Sequence, residues 1–427
     1  MLNTLKSHKD KISIIFKGQK FSYQELIDKI YEYQKLFKTQ ISNSDIVALK
    51  AIYSFENIAI FLALYLNKNI IALLPNSPNL DEYLKISNAN KLINSNHQIQ
   101  TISPTNTTIK ALNNQSGLII FSSGTLSKPK AIIHNLDNII ENLKGKRPKS
   151  LKIILFLLFD HIGGINTLLS GLMSGSTLII ASDFSPKNIC ELISKYKANI
   201  LPTTPSFLNL LLITKEYENH DLSSLKLITY GTERMDENIL IRLKNIFKNT
   251  KFIQTFGTSE TGILPTISKS STSTYFKLNP NEYKIENGKL FLRSKTMFLG
   301  YMGLENNDKW FDSGDLIECD ENGYIKIVGR DKEVINVGGK KLTSSEVESC
   351  ILELSQIKDA LVYALPCELL GQMVACDVVC DLPKTEAKEL IKSHCKAKLE
   401  RYKIPLKINV VDKINITNRF KKDRKLR

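Results

Sequence analysis

The strongest constraint on the fold is an alternation that runs through the first three-quarters of the chain. Ile46 to Ile52, Leu118 to Phe121, Lys152 to Leu158, Thr177 to Ile180, Leu225 to Tyr230 and Phe252 to Phe256 are short, apolar and of β type. Between or beside them, Gln24 to Phe37, Asn57 to Leu66, Pro186 to Lys197 and Met235 to Phe247 have helical period. Strands alternating with helices bury both faces of a sheet, so the pattern predicts layered α/β structure with largely parallel sheets. From about residue 285 the texture changes to short strands and turns, with a hairpin signal at Glu321-Asn322-Gly323. A compact region follows Arg330, with a helix from Ser345 to Leu354, a strand near Leu361 to Ala364 and a helix through Lys384 to Leu399. The reading is a large α/β domain with a β-rich end, residues 1–330, and a small α+β domain, residues 331–427.

Several classes are excluded. No apolar run approaches the ~18 residues of a membrane helix, and the first residues have no stretch long enough for a secretory signal, so a cytoplasmic protein without a membrane span is expected. The seven cysteines form no CxxC. Cys376 and Cys380 are four apart, but no histidine or second pair lies close in sequence to complete a zinc set. They read as reduced thiols, chiefly in the core. The formal charge of +15 invites nucleic acid as a partner, but it is thinly spread, except in Arg419 to Arg427, and no nucleic-acid signature accompanies it. Small anionic ligands or an acidic partner protein suit it as well.

The residues that can carry chemistry begin after the strand LIIF, at Ser122-Ser123-Gly124-Thr125-Leu126-Ser127-Lys128-Pro129-Lys130. Small hydroxyl residues and a glycine can surround phosphate oxygens, and a terminal lysine can add positive charge. It is not the Walker-type loop. Phe256-Gly257-Thr258-Ser259-Glu260-Thr261-Gly262 follows another strand, then Trp310 to Asp315, Gly329-Arg330-Asp331-Lys332 and Ile335 to Lys341. Arg401 to Pro405 and Thr417 to Arg424 close the series.

This ordered set, with Phe21 to Leu26 and Asp160-His161-Ile162-Gly163-Gly164, resembles the adenylate-forming superfamily of acyl-CoA synthetases, peptide-synthetase adenylation domains and luciferases. The resemblance spans nearly the whole chain. It implies two half-reactions: a carboxylate attacks the α-phosphate of Mg-ATP to give an acyl-adenylate, then a thiol takes the acyl group and AMP leaves. The implied ligands are ATP, Mg2+, a carboxylic-acid substrate, and CoA or a phosphopantetheinyl acyl carrier protein.

By the same resemblance, Ser122, Ser123, Gly124, Thr125 and Lys130 hold the outer phosphates, although Leu126 and Ser127 replace the usual hydroxyl residue and glycine. Glu260 is the magnesium-associated carboxylate, with Thr258 beside the α-phosphate. The alternative is that Ser259 and Glu260 decorate a helix start. Phe256 and Gly257 line the nucleotide. Gly231-Thr232-Glu233 is the adenine-side loop. Asp315 accepts the ribose hydroxyls, Arg330 assists it, and Asp312 is a turn residue. Lys421 is the catalytic cation, although Phe420 replaces a glycine of the pattern; Lys422 and Lys425 are alternatives, as is a solvated basic tail. Lys332 is the hinge, with a plain surface lysine as its alternative. Gly338 and Gly339 approach the thiol tunnel, and His161 gates the acyl pocket. The departures from the pattern also leave room for a degenerate, nucleotide-sensing relative.

Overall fold

A computed structural model describes residues 1–43, 45–102, 109, 112–122, 129–145, 149–306, 308–417 and 421–424. Two sheets form most of the large domain, one with a parallel centre and antiparallel edges, the other parallel in all pairs but one. The first contains eight strands; at its centre Ile46–Lys50, Ile70–Leu74 and Gly117–Ser122 run parallel, and Lys130–Asn135 returns antiparallel beside the last. The second has seven strands in the order Lys251–Gln254, Leu227–Tyr230, Ile200–Thr203, Lys152–Leu155, Thr177–Ile180, Ile12–Phe16 and Gln19–Ser22. All of its pairs are parallel except the last.

One apolar core joins the sheets. It takes Leu49, Leu73 and Ile120 from the first, Ile14, Leu155 and Leu178 from the second, and residues from helices Tyr23–Gln40, Phe55–Leu66 and Ile162–Met173 between them. Helix Tyr23–Gln40 starts where the sequence demands it: Ser22 caps the Glu25 N–H and Glu25 reaches back to the Ser22 N–H, a reciprocal pair that satisfies two otherwise orphaned donors. The strand expected over Lys152 to Leu158 ends at Leu155 because the chain turns there into helix Ile162–Met173. That helix escapes a periodicity reading, since ten of its twelve residues are buried and no polar face remains.

An antiparallel six-stranded sheet supplies the β-rich end, with Phe311–Cys319 paired to Ile325–Arg330 across the expected turn at Gly323. The last region is a sheet of Lys340–Thr343, Val334–Val337, Gly371–Cys380, Ile357–Cys367 and Lys407–Val410, covered by helices Ser344–Leu352 and Lys384–Lys398. Its apolar residues Val347, Ile351 and Val362 join the core cluster on the outer face of the seven-stranded sheet. Polar contacts reinforce this junction. Arg242 donates to the carbonyls of Leu352, Leu354 and Ile357 at 3.0–3.3 Å, and Arg234 donates to Ser349 at 2.6 Å.

Of the seven thiols, Cys190, Cys350, Cys376 and Cys395 are buried as expected. Cys319 is a correction: it is the last residue of strand Phe311–Cys319 and is exposed. Among the described residues no helix is long and apolar enough to cross a membrane.

Candidate active site

The phosphate-side hairpin is built by strands Gly117–Ser122 and Lys130–Asn135, which put Ser122 directly opposite Lys130 in register. Ser123, Gly124, Thr125, Leu126 and Ser127 lie outside the described residues. Lys130 is exposed, and its Nζ sits 4.9 Å from the centre of the Tyr301 ring. On that same tyrosine, the hydroxyl donates to Glu260 Oε1 at 3.2 Å, and the carboxylate beside it pushes the phenol pKa, already raised by burial, up to about 12. One aromatic side chain therefore joins the hairpin lysine to the carboxylate expected to accompany magnesium.

Glu260 does not begin a helix. It lies in the turn of a short hairpin, Phe256–Thr258 with Gly262–Leu264, so the helix-start alternative falls. Hydrogen bonds within the turn fix its shape: Thr258 N–H donates to Thr261 Oγ1, and the N–H groups of Glu260 and Thr261 donate to Thr258 Oγ1, all at 3.1–3.2 Å. Thr258 is thus a turn-maker as well as a site residue. The Glu260 carbonyl accepts from Phe298 N–H at 2.7 Å, tying the turn to the segment that carries Tyr301. Among the described residues Glu260 Oε2 has no protein partner, so the carboxylate has a face suited to a hydrated divalent cation. The Phe256 ring is buried against Phe276, 5.4 Å between centres. Gly257 sits beside it in the hairpin.

His134, absent from the sequence reading, clamps this region. It is fully buried on strand Lys130–Asn135, with Nε2 2.7 Å from the Ser259 carbonyl and Nδ1 3.2 Å from that of Thr296. Burial holds its pKa below the ordinary value, so the ring is neutral and donates one proton, best placed on the shorter contact. Its partners lie 125 and 162 positions away, and Tyr301 is 41 from Glu260, so no local spacing marks either residue.

Asp315 lies on strand Phe311–Cys319 with Arg330 as its register partner on the next strand. Arg330 Nε is 3.0 Å from Oδ1, Ser313 Oγ accepts from the Asp315 N–H at 3.1 Å, and the residue is 2 % exposed. Burial raises its pKa against the opposing pull of Arg330. Among the described residues the buried Oδ2 has no hydrogen-bond partner, an acceptor open to a donor. Asp312, by contrast, accepts from Gly314 N–H at 2.8 Å and is exposed, the turn role expected.

The loop Gly231-Thr232-Glu233 leaves strand Leu227–Tyr230. A Cβ on Gly231 would stand 2.5 Å from Thr255 Oγ1 and 2.6 Å from the Thr255 carbonyl, which explains the glycine. Thr232 has φ +70°, a left-handed backbone unfavourable for a β-branched residue and one that functional loops often hold. Glu233 accepts from Ser206 Oγ at 2.6 Å. Burial pushes its pKa up to about 7 despite that bond and the nearby charges of Lys421 and Lys422.

Lys421 therefore reaches the neighbourhood of the adenine-side loop from the far end of the chain. Its N–H faces Thr417 Oγ1 at 3.4 Å and its carbonyl accepts from Thr417 N–H at 2.7 Å; Phe420 and Lys425 lie outside the described residues. Lys422 is committed elsewhere, with Nζ 2.6 Å from Asp359 Oδ1 and 2.7 Å from the Ala360 carbonyl, which removes it as the alternative cation. Arg424 forks onto both oxygens of buried Glu348 at 2.9 and 3.1 Å.

Lys332 is exposed in a single 3₁₀ turn, Asp331–Glu333, directly after Arg330. Gly338 and Gly339, φ +57° and +85°, form the two-residue turn between Val334–Val337 and Lys340–Thr343; that turn type alone accounts for both glycines. His161 caps helix Ile162–Met173 with Nε2 3.9 Å from buried Asp160.

Comparison with known proteins follows this geometry. The AMP-binding enzyme model matches residues 67–302, and the AMP-binding enzyme C-terminal domain model matches 346–421. Mitochondrial medium-chain acyl-CoA ligase ACSF2 of Mus musculus is 26% identical over 336 residues, 70% of this chain and 55% of that protein. The putative long chain fatty acid-CoA ligase VraA of Staphylococcus aureus (strain COL) is 29% identical over 321 residues, 70% and 67% respectively. The match thus spans about half the length of the ACSF2 relatives. Among solved structures, the anthranilate CoA ligase AuaEII with anthranoyl-AMP superposes with TM-score 0.79 at 18% identity, covering 100% of this chain and 95% of that one. The o-succinylbenzoate CoA synthetase MenE of Bacillus subtilis with OSB-AMP gives 0.75 at 20% identity, covering 97% and 95%. These likenesses carry the fold, and the family model that matches more than half of the chain carries the rest: the chain belongs to the AMP-binding enzyme family.

Proposed function

We propose that the chain is an ATP-dependent acid–thiol ligase, activating a carboxylic acid as its acyl-adenylate and passing the acyl group to CoA. The observation that carries this reading is Asp315, a buried carboxylate with one oxygen on Arg330 and the other unpartnered. Two adjacent ribose hydroxyls are the donors such an oxygen suits.

The remaining roles follow from charge. Bringing an anionic acid to a polyanion requires neutralisation and alignment more than covalent help. Ser122 and Lys130 flank the outer phosphates, and Thr258 lies at the α-phosphate. Glu260 would hold a magnesium ion, which would supply charge neutralisation on the phosphate oxygens. Lys421 draws the acid's carboxylate toward the α-phosphorus; the new C–O–P bond forms as the bond to pyrophosphate breaks. The thiol sulfur then bonds to the acyl carbon and AMP departs. Between the two steps the small domain, 331–427, turns about Lys332 and brings the Gly338-Gly339 turn toward the thiol. His161 and Asp160 border the acyl pocket. Acyl-CoA ligase relatives support CoA as acceptor.

The test is pyrophosphate release from Mg-ATP with a panel of fatty, aryl and amino acids, each with CoA, with purified acyl carrier protein, or with neither. CoA-stimulated turnover with one acid class is the expected result. Transfer only to the carrier protein overturns the acceptor, and release with no acid in any arm overturns the ligase reading in favour of a nucleotide-sensing one.

A further inference from the structure

The two helices covering the small sheet meet at a polar, sulfur-containing seam. Cys350 lies in the last turn of Ser344–Leu352 and Glu353 is its C-cap residue, so the spacing of three puts both on one face. Helix Lys384–Lys398 presents His394 and Cys395 to them. The Cys350 sulfur, a Glu353 carboxylate oxygen and a His394 ring nitrogen all lie within 4.8 Å of one another. The Cys395 thiol is in hydrogen-bond contact with Cys350. His394 Nε2 is 2.8 Å from Glu353 Oε2, and Lys398 Nζ lies 2.5 Å from the same oxygen.

We propose that Cys350, Glu353 and His394 form a binding site for a thiophilic divalent cation of the zinc class. The donors decide the class: a sulfur and an imidazole disfavour magnesium and calcium, which take oxygen, and suit zinc. Three protein donors leave the fourth tetrahedral position to water. The Cys350 sulfur is buried while Glu353 and His394 are 36% and 20% exposed at the side chain, so an ion enters from the solvent side. Lys398 can remain on the carboxylate as the outer partner that orients it.

The site would clamp one helix to the other, and the clamped helix matters. On it Glu348 pairs with Arg424, and Ser349 accepts from Arg234 of the large domain. The inference does not depend on the ligase reading.

The test uses the full chain, purified without chelator from zinc-supplemented culture, with zinc measured by plasma mass spectrometry. About one zinc per chain is expected. His394→Ala, at a part-exposed position, and Cys350→Ser should each lower it at least tenfold, whereas Cys190→Ala should retain it. Because Cys350→Ser can also disturb packing, cobalt substitution of the intact chain is the second readout, and a sulfur-to-cobalt charge-transfer band is expected. Zinc below about a tenth per chain with thiols shown to be reduced, or zinc undiminished in His394→Ala, overturns the proposal.

Discussion

Two parts of the active site are held by different physics. The Thr258–Thr261 turn is locked by short-range hydrogen bonds to backbone, then braced by His134 and by the Phe298 N–H. The residues around Lys421 have two backbone hydrogen bonds of their own, Thr417 N–H to Lys421 and Asp423 N–H to Asn415, and are tied to the rest of the small domain by charge: Lys422 on Asp359, and Arg424 on Glu348 and, at 3.7 Å, Glu333. Backbone hydrogen bonds within a hairpin fix one geometry, whereas ion pairs that belong to the small domain let a segment travel with it. The first region suits the ligand that both half-reactions share, and the second suits a residue needed in only one.

The sharpest way to break this comparison is Lys421→Ala. Adenylate formation, read as pyrophosphate exchange, should fall by a hundredfold or more, while thiol transfer from supplied acyl-AMP stays within a few-fold. Equal loss of both steps would make the segment part of a fixed site. Asp315→Ala comes next and belongs to the fixed region: ATP affinity by calorimetry should drop at least tenfold with acid binding little changed.

Removing one partner of a buried ion pair costs about 3–5 kcal/mol. Glu348→Ala should therefore lower urea-unfolding stability by roughly 3 kcal/mol, since it leaves the Arg424 guanidinium only its long ionic contact with Glu333. A loss under about 1 kcal/mol would show that the pair is not what holds the segment. Lys332→Pro tests the reorientation, because a locked φ should slow thiol transfer several-fold and spare adenylation.

The smallest effect concerns Glu233, where the two regions meet. Its folded pKa, about 7, lies above the ordinary 4.5. Its stabilising contribution is therefore complete below pH 4.5 and is lost as pH rises through 7. Relative to Glu233→Gln, the wild-type melting temperature should fall by a few degrees between pH 5 and 8, and a constant difference would refute the shift.

Much of this was legible in order along the chain. The strand Thr177–Ile180 and the helix beginning at Pro186 fall where apolar period and a proline at the helix start put them. The acids and cations of the site were legible by resemblance, because their motifs keep their order. Helix Ile162–Met173 was not: it lies between two sheets and has no polar face.

The sequence alone determined the layered α/β class and which carboxylates and lysines are available, since side-chain period and residue chemistry are local properties. Only the tertiary structure decided what each residue is free to do. It separated Lys421 from its neighbour Lys422 by giving the latter a buried carboxylate, and it left Asp315 one unsatisfied oxygen. It also brought Cys350 to His394 across 44 positions. Those outcomes depend on burial and on pairing between distant segments, which a chain acquires only when its helices and sheets pack.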